Sequence, residues 1–326
     1  MERSMQLISP TPAATETTSS QPPRRSRQSA LRRMNIILLF LLPSAIIYIV
    51  FVFLPIIQAA YYSLYRWNGL VPLSDFVWLK NYQLALSNKI FLGSIGHNLL
   101  ILVLSLLIQL PFSLLIALVI GKTLPGRTFF RTVFFMPYIL SDVIAGLIWQ
   151  FIYRPDSGLN VVLQHVIPGY QAQLWLADPK IVLPSIFLVM IWKYFGFHMV
   201  LYVAALQNIP DEIDEAARID GASGLQIMRF IHIPLLGNTI RLTILISALG
   251  SLQYFDLIWI MSLGGPVHGS ETMTTYLFKY GFQSFALGYG SAVGVILFAL
   301  CFIFAIMYQR FIMAREVEGS LTEAAA

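Results

Sequence analysis

Charge is scarce in this chain: charged residues make up 11% of its 326 positions, where a soluble domain carries about 25%. Hydrophobic residues fill 57%, which excludes an ordinary soluble globule and predicts a membrane protein. Cysteine is almost absent. Cys301 is alone and sits in an apolar run, so an internal disulfide and a cysteine metal cluster are both excluded. A complete phosphate loop is lacking as well. Gly121-Lys122-Thr123 resembles its end, but the position that needs the first glycine is Ile116. The histidines His97, His165, His198, His232 and His268 are scattered, and none forms a helical pair with an acid between, as a zinc hydrolase needs. With no nucleophile or metal constellation, the sequence reads as a non-enzyme with no metal site. The formal net charge of +5 owes much to arginines near the N-terminus, which points to a membrane surface rather than to nucleic acid.

Long apolar runs are what the chain has in plenty. A helix crossing the hydrocarbon core needs about 20 mostly apolar residues. Six stretches qualify: Asn35 to Ile57, Asn98 to Ile120, Thr132 to Tyr153, Ile181 to Leu206, Leu242 to Leu263, and Tyr289 to Phe311. None shows the alternating pattern of a membrane barrel, and backbone groups in lipid must bond internally. The expected fold is therefore all-α, a polytopic membrane bundle of six transmembrane helices spanning residues 35–311. Residues 1–34, rich in Ser, Thr, Pro and Arg, read as a disordered basic cytoplasmic tail, and residues 312–326 as a cytoplasmic C-terminal tail. The first apolar run exceeds the roughly 7–15 residues of a cleaved signal, which favours a retained anchor.

Lys and Arg set the orientation. With both termini inside, the cytoplasmic side holds the N-terminal arginines, Lys122, Arg127, Arg131, Arg218, Arg229, Arg241, Arg310 and Arg315. The outer side holds Arg66, Lys80, Lys89, Arg154, Lys180 and Lys279, in keeping with the positive-inside rule. The loop 207–234 then faces the cytosol. Pro210 suits a first helical position, Asp211, Glu212 and Asp214 suit a helix N-terminus, and Ser223 with Gln226 has capping-box spacing. Gly221 supplies a break or a close approach. The loop is either a solvated connector or a docked face, and its small and apolar residues Ile213, Ala216, Ala217, Ile219 and Ala222 favour docking.

Glu215-Ala216-Ala217, Gly221 and Ile231-His232-Ile233-Pro234 resemble the EAA loop of permease subunits of binding-protein-dependent ABC importers, with Ile233 where that family favours Leu. Leu206-Gln207-Asn208-Ile209-Pro210, Phe255-Asp256, Gly264-Gly265-Pro266 and Gly288-Tyr289-Gly290-Ser291-Ala292 narrow the resemblance to the carbohydrate-uptake branch, the maltose and glycerol-3-phosphate type. The resemblance implies a multi-pass permease in a prokaryotic plasma (inner) membrane. Glu215, Ala216, Ala217, Asp220, Gly221 and Pro234 would couple it to cytoplasmic ATPase subunits, which bind the ATP and Mg that this chain does not. It further implies an extracytoplasmic solute-binding protein and, from Gly-Gly-Pro, a second and different permease as partner.

Ionisable residues at membrane depth usually face a bundle interior or a watery cavity. Asp142, Lys193 and Asp256 are such residues, and Asp142 with Lys193 reads equally as a packing ion pair or as a solute contact. Sugar recognition needs polar groups beside flat aromatic faces, which adds Tyr138, Trp192, Tyr194, Gln253 and Tyr254 as pathway candidates, with Ser141, Trp149 and Ser251 beside them. Gly146, Gly196 and Gly250 are expected to permit close helix approach. An ion-gradient-driven transporter, with Asp142 and Lys193 as relay, is the competing function. A docking loop for an ATPase is the feature it does not need.

Overall fold

Asn88 starts the first long helix of the main body: its side chain accepts from the backbone N–H groups of Ile90 and Phe91 at 2.9 and 3.2 Å, satisfying donors that a helix start leaves free. The computed structural model describes residues 39–121, 126–156 and 158–313. The expected tail 1–34 and all of 312–326 but its first two residues lie outside them, as does Lys122. Two units divide the chain, Met1–Pro55 and Ile56–Ala326. In the first, helix α1 (Leu39–Tyr62, which runs on past Pro55) is apolar, and its residues up to Pro55 are exposed.

The second unit is helical. Among the described residues it has no strand beyond the single bridge between Tyr65 and Phe76. In chain order it contains α2 (Lys80–Ser87), α3 (Lys89–Ile120), α4 (Arg127–Ile139), α5 (Asp142–Ile152), α6 (Gly158–Val166), α7 (Val182–Gln207), α8 (Asp211–Ile219), α9 (Gly224–Leu235), α10 (Gly237–Leu252), α11 (Asp256–Ser262), α12 (Met273–Leu277) and α13 (Leu287–Met313). Helices α1, α3, α7 and α13 are each long and apolar enough to cross a membrane. The bent pairs α4 with α5 and α9 with α10 pass only when each is taken together. The described chain therefore has four to six candidate spans, a polytopic helical protein.

Helix α7 is the axle. Most of its residues are buried, and it packs against both α3 and α4. One core cluster joins its first half, Val182 to Met190, to Leu257 and Ile258 of α11. A second joins Met199 to Leu206 with Ala117 and Ile120 of α3. Gly196 allows the α4 contact, since a Cβ there would stand 2.0 Å from the Phe134 carbonyl oxygen.

Three expected boundaries need correction. The second span starts at Lys89, not Asn98, because its first turns carry Lys89, Ser94 and His97, which hide it from hydropathy. The third, Thr132 to Tyr153, is not one helix. Pro137 lacks an N–H, Leu140 and Ser141 are extended, and Ser141 caps α5 by accepting from the Ile144 N–H at 3.2 Å, so α4 and α5 meet at 94°. The fifth, Leu242 to Leu263, ends at Leu252. Its freed carbonyls find partners: Asn98 Nδ2 donates to Ser251 O and Leu252 O at 2.7 and 3.2 Å, and Thr272 and Thr274 hydroxyls donate to Tyr254 O. Helix α11 then packs on α5, where Gln150 Nε2 donates to Ile260 O at 2.6 Å.

Candidate functional site

A cavity of about 370 Å³ opens beside the breaks just described, within the roughly 300–1,000 Å³ range of small-molecule sites. Helix α7 contributes Met190, Tyr194, Phe197 and His198 to it. Tyr138 enters from α4, Ser105 and Gln109 from α3, and Ser247, Gly250 and Ser251 from α10. Because α10 stops at Leu252, the non-helical residues Gln253, Tyr254 and Phe255, followed by Asp256, complete the wall.

The wall has two chemistries. One is aromatic: Tyr138 stacks on Phe197 at 4.9 Å, and Tyr194 stands edge-on to Tyr138 at 6.1 Å and to Tyr254 at 6.0 Å. The other is a hydroxyl and amide row. Ser251 Oγ lies 3.4 Å from Ser105 Oγ, which donates to Gln109 Oε1 at 3.2 Å. Such a wall can match hydroxyl groups and cover flat apolar ring faces. It holds no paired nucleophile and base, and no group of metal-ligating side chains occurs among the described residues.

The pathway candidates divide. Tyr138, Tyr194, Gln253, Tyr254 and Asp256 line the cavity. Trp192 does not. It turns edge-on to Trp149 at 5.5 Å and packs against the core. Asp142 and Lys193 stand behind the wall. Lys193 is 2% exposed, its Nζ is 3.5 Å from Asp142 Oδ1, and it donates to the Leu140 carbonyl. Asp142 Oδ1 accepts the Tyr194 hydroxyl at 2.7 Å.

Sequence reasoning passed over Ser105, Gln109, Ser247 and His198. The signal was there: Ser105, Gln109 and Ser113, and likewise Ser247 and Ser251, recur at four-residue spacing on one face of an apolar helix. His198 is one of the scattered histidines of the sequence. It is 4% exposed, lines the cavity, and its Nδ1 meets no partner among the described residues. Gly250 also differs from expectation: nothing lies within 4 Å of its Cβ position, so it widens the cavity, while Gly146 and Gly196 do serve close approach.

At the far end of α7 lies a helical hairpin. Helix α8 begins after Pro210, which is the residue before the first turn rather than in it, and its first turn carries Asp211, Glu212 and Asp214. Gly221 adopts φ +83° with open space at its Cβ position, so the turn and not a close approach requires it. Ser223 and Gln226 form the expected capping box at the start of α9. Asp214 Oδ1 lies 2.8 Å from His232 Nε2 and ties α8 back onto α9. Glu215, Ala216, Asp220, Gly221 and Pro234 are exposed, and Ala217 is half-buried. Around them Ile219, Leu225 and Phe230 are also exposed, at 86, 74 and 67%. A cleft places this hairpin against Leu118 and Gly121 at the end of α3 and Leu206 near the end of α7.

Comparison with known proteins agrees with this architecture. Residues 109–315 match the family described as binding-protein-dependent transport system inner membrane component. A probable ABC transporter permease protein, YurN of Bacillus subtilis, is 32% identical over 283 residues, 86% of this chain and 97% of that one. The diacetylchitobiose uptake system permease protein NgcF of Streptomyces coelicolor is 30% identical over 295 residues, 87% and 83% of the two chains. A chain of a bacterial alginate ABC transporter, crystallised with an alginate pentasaccharide-bound periplasmic protein, superposes with a TM-score of 0.77 at 22% identity and covers 89% of this chain and 98% of its own. The chain thus belongs to the binding-protein-dependent transport system inner membrane components, and it is an ABC importer permease rather than an enzyme.

Proposed function

We propose that this permease carries a sugar or related polyol through the cavity between α3, α4, α7 and α10. The single observation that carries this reading is the wall itself, which combines aromatic faces at Tyr138, Tyr194 and Phe197 with polar groups at Gln109, Ser251 and Gln253. The diacetylchitobiose permease of Streptomyces supports the solute class by likeness. In this reading six helical spans cross a prokaryotic inner membrane with both termini in the cytosol, and a second, different permease completes the pathway. An extracytoplasmic solute-binding protein delivers the solute. Separate ATPase subunits bind ATP and Mg.

The hairpin of α8 and α9 is the ATPase dock. Exposed Ile219, Leu225 and Phe230 amid Glu215, Arg218 and Asp220 make an amphipathic surface suited to a groove in a partner. An ion-gradient mechanism has no use for it. The test is solute-stimulated ATP hydrolysis by the assembled complex in proteoliposomes, with maltose, trehalose and diacetylchitobiose as probes. Glu215→Ala should leave membrane insertion intact and lower both ATPase recruitment and stimulated hydrolysis. Wild-type coupling in that variant would show the hairpin to be only a connector.

A further inference from the structure

A helix broken inside a membrane leaves carbonyls at the end of its first half and N–H groups at the start of its second, and lipid offers neither a partner. The break between α4 and α5 is such a place. Its carbonyl end carries partial negative charge and its N–H end partial positive charge. Lys193 donates to the Leu140 carbonyl, the residue that closes α4, and Asp142 occupies the first position of α5. Each charge thus stands at the helix end that favours it. Asp142 Oδ1 then takes the Tyr194 hydroxyl at 2.7 Å, with Lys193 Nζ at 3.5 Å. Tyr194 lines the cavity, whereas neither charge does.

We propose that Asp142 and Lys193 are positioning residues: the Asp142 acceptor fixes the Tyr194 ring as the aromatic wall against which the solute ring lies, and Lys193, at the α4 end of the break, matches the Asp142 charge. The proposal rests on the reading of the cavity as the solute pathway. Its chemistry is specific. What Tyr194 requires is an acceptor at position 142, not a charge; what Lys193 requires is that its own charge be matched or removed. Charge and acceptor can therefore be separated by substitution.

The experiment measures KM and turnover of the reconstituted complex, with its ATPase and binding protein, for radiolabelled maltose, trehalose and diacetylchitobiose. Tyr194→Phe should raise KM about tenfold at retained turnover, the pattern of lost binding. The double variant Asp142→Asn with Lys193→Met keeps an acceptor and leaves neither charge of the pair without the other, so its KM should stay within about twofold of wild type. Asp142→Leu with Lys193→Met is equally free of charge but has no acceptor, and its KM should match Tyr194→Phe. A double Asn/Met variant as impaired as the Leu/Met one would overturn the proposal in favour of a direct role for the charges. A Leu/Met variant with wild-type KM would reduce the pair to packing. Gln253→Leu separates the underlying reading: if it and Tyr194→Phe both leave KM unchanged, the cavity is not the pathway. Thermal unfolding of the purified complex reads the same contact with no solute present. In the Lys193→Met background, Tyr194→Phe should lower the melting temperature when Asp142 is replaced by Asn and leave it unchanged when Asp142 is replaced by Leu, both replacements being uncharged, and an equal effect in the two would also sink the proposal.

Discussion

At the scale of single residues, glycines show how differently one residue type is constrained in this chain. Gly196 on α7 faces α4 so closely that a Cβ would stand 2.0 Å from the Phe134 carbonyl oxygen and 2.8 Å from its carbon. These are backbone atoms, so no side-chain rotation relieves the clash. Gly196→Ala should therefore separate α4 from α7 and sharply reduce the assembled permease seen by fluorescence-detected size exclusion. Gly250→Ala meets nothing within 4 Å and should assemble as wild type. Gly221 is limited by conformation alone. At φ +83° in open space, a β-branched side chain carries left-handed strain of about 1–2 kcal/mol, and Asn tolerates the region better. Gly221→Val should lower solute-stimulated ATP hydrolysis without loss of inserted protein, while Gly221→Asn should retain most of it. Equal activity in the two variants would show that the turn does not matter to coupling.

The elements extend that lesson from sterics to broken helices. The sequence marked a polytopic helical protein, because the ability to span is a matter of composition over about 20 residues, and the described chain has four to six candidate spans. It blurred the breaks because hydropathy averages over them. Pro137 and the Ser141-Asp142 start signal were legible one by one, yet the run around them stayed apolar and read as a single span. The end of α10 was less legible. No proline or glycine marks Gln253, and the carbonyls released there are taken by Asn98 of α3 and by Thr272 and Thr274, far away in sequence. The cavity was half-readable for the same reason: Tyr138, Tyr194 and Gln253 were visible as polar residues in spans, whereas only the fold brings Gln109 and His198 to the same wall. Asn98 is the element-scale test. It is fully buried and makes three bonds, to Ser251 O, Leu252 O and the Met273 N–H. Hydrogen bonds between membrane helices average about 0.6 kcal/mol, so Asn98→Leu should cost about 2 kcal/mol and lower the melting temperature of the purified complex. The pair between Asp214 and His232 is the corresponding tie in the hairpin. His232→Ala should loosen α8 and weaken the response of ATP hydrolysis to solute while solute KM is kept.

For the whole molecule, the distribution of charge and the direction of the helices predict one topology. Helix α3 ends at Ile120 and α7 at Gln207, and a cleft brings Leu118, Gly121 and Leu206 together with Asp214, Arg218 and His232 of the hairpin. Two long helices therefore finish at the hairpin's end of the second unit. Ahead of α7, the segment made of α6 and residues 167–181 is organised by Asn160, which is fully buried and bonds to Pro155, Tyr170, Gln173 and Trp175. By the positive-inside rule, Arg218 and Arg229 predict that the hairpin faces the cytosol, and the Asn160 segment is then expected outside. Cysteine labelling reads this directly, because Cys301 is the chain's one cysteine and is buried. In a Cys301→Ala background, Gln171→Cys should react with a membrane-impermeant maleimide on intact spheroplasts, and Ser223→Cys should react only after the membrane is opened. Both positions are exposed, so a failure to label would report sidedness and not burial. The reverse pattern would place the hairpin outside, beyond the reach of any cytosolic ATPase.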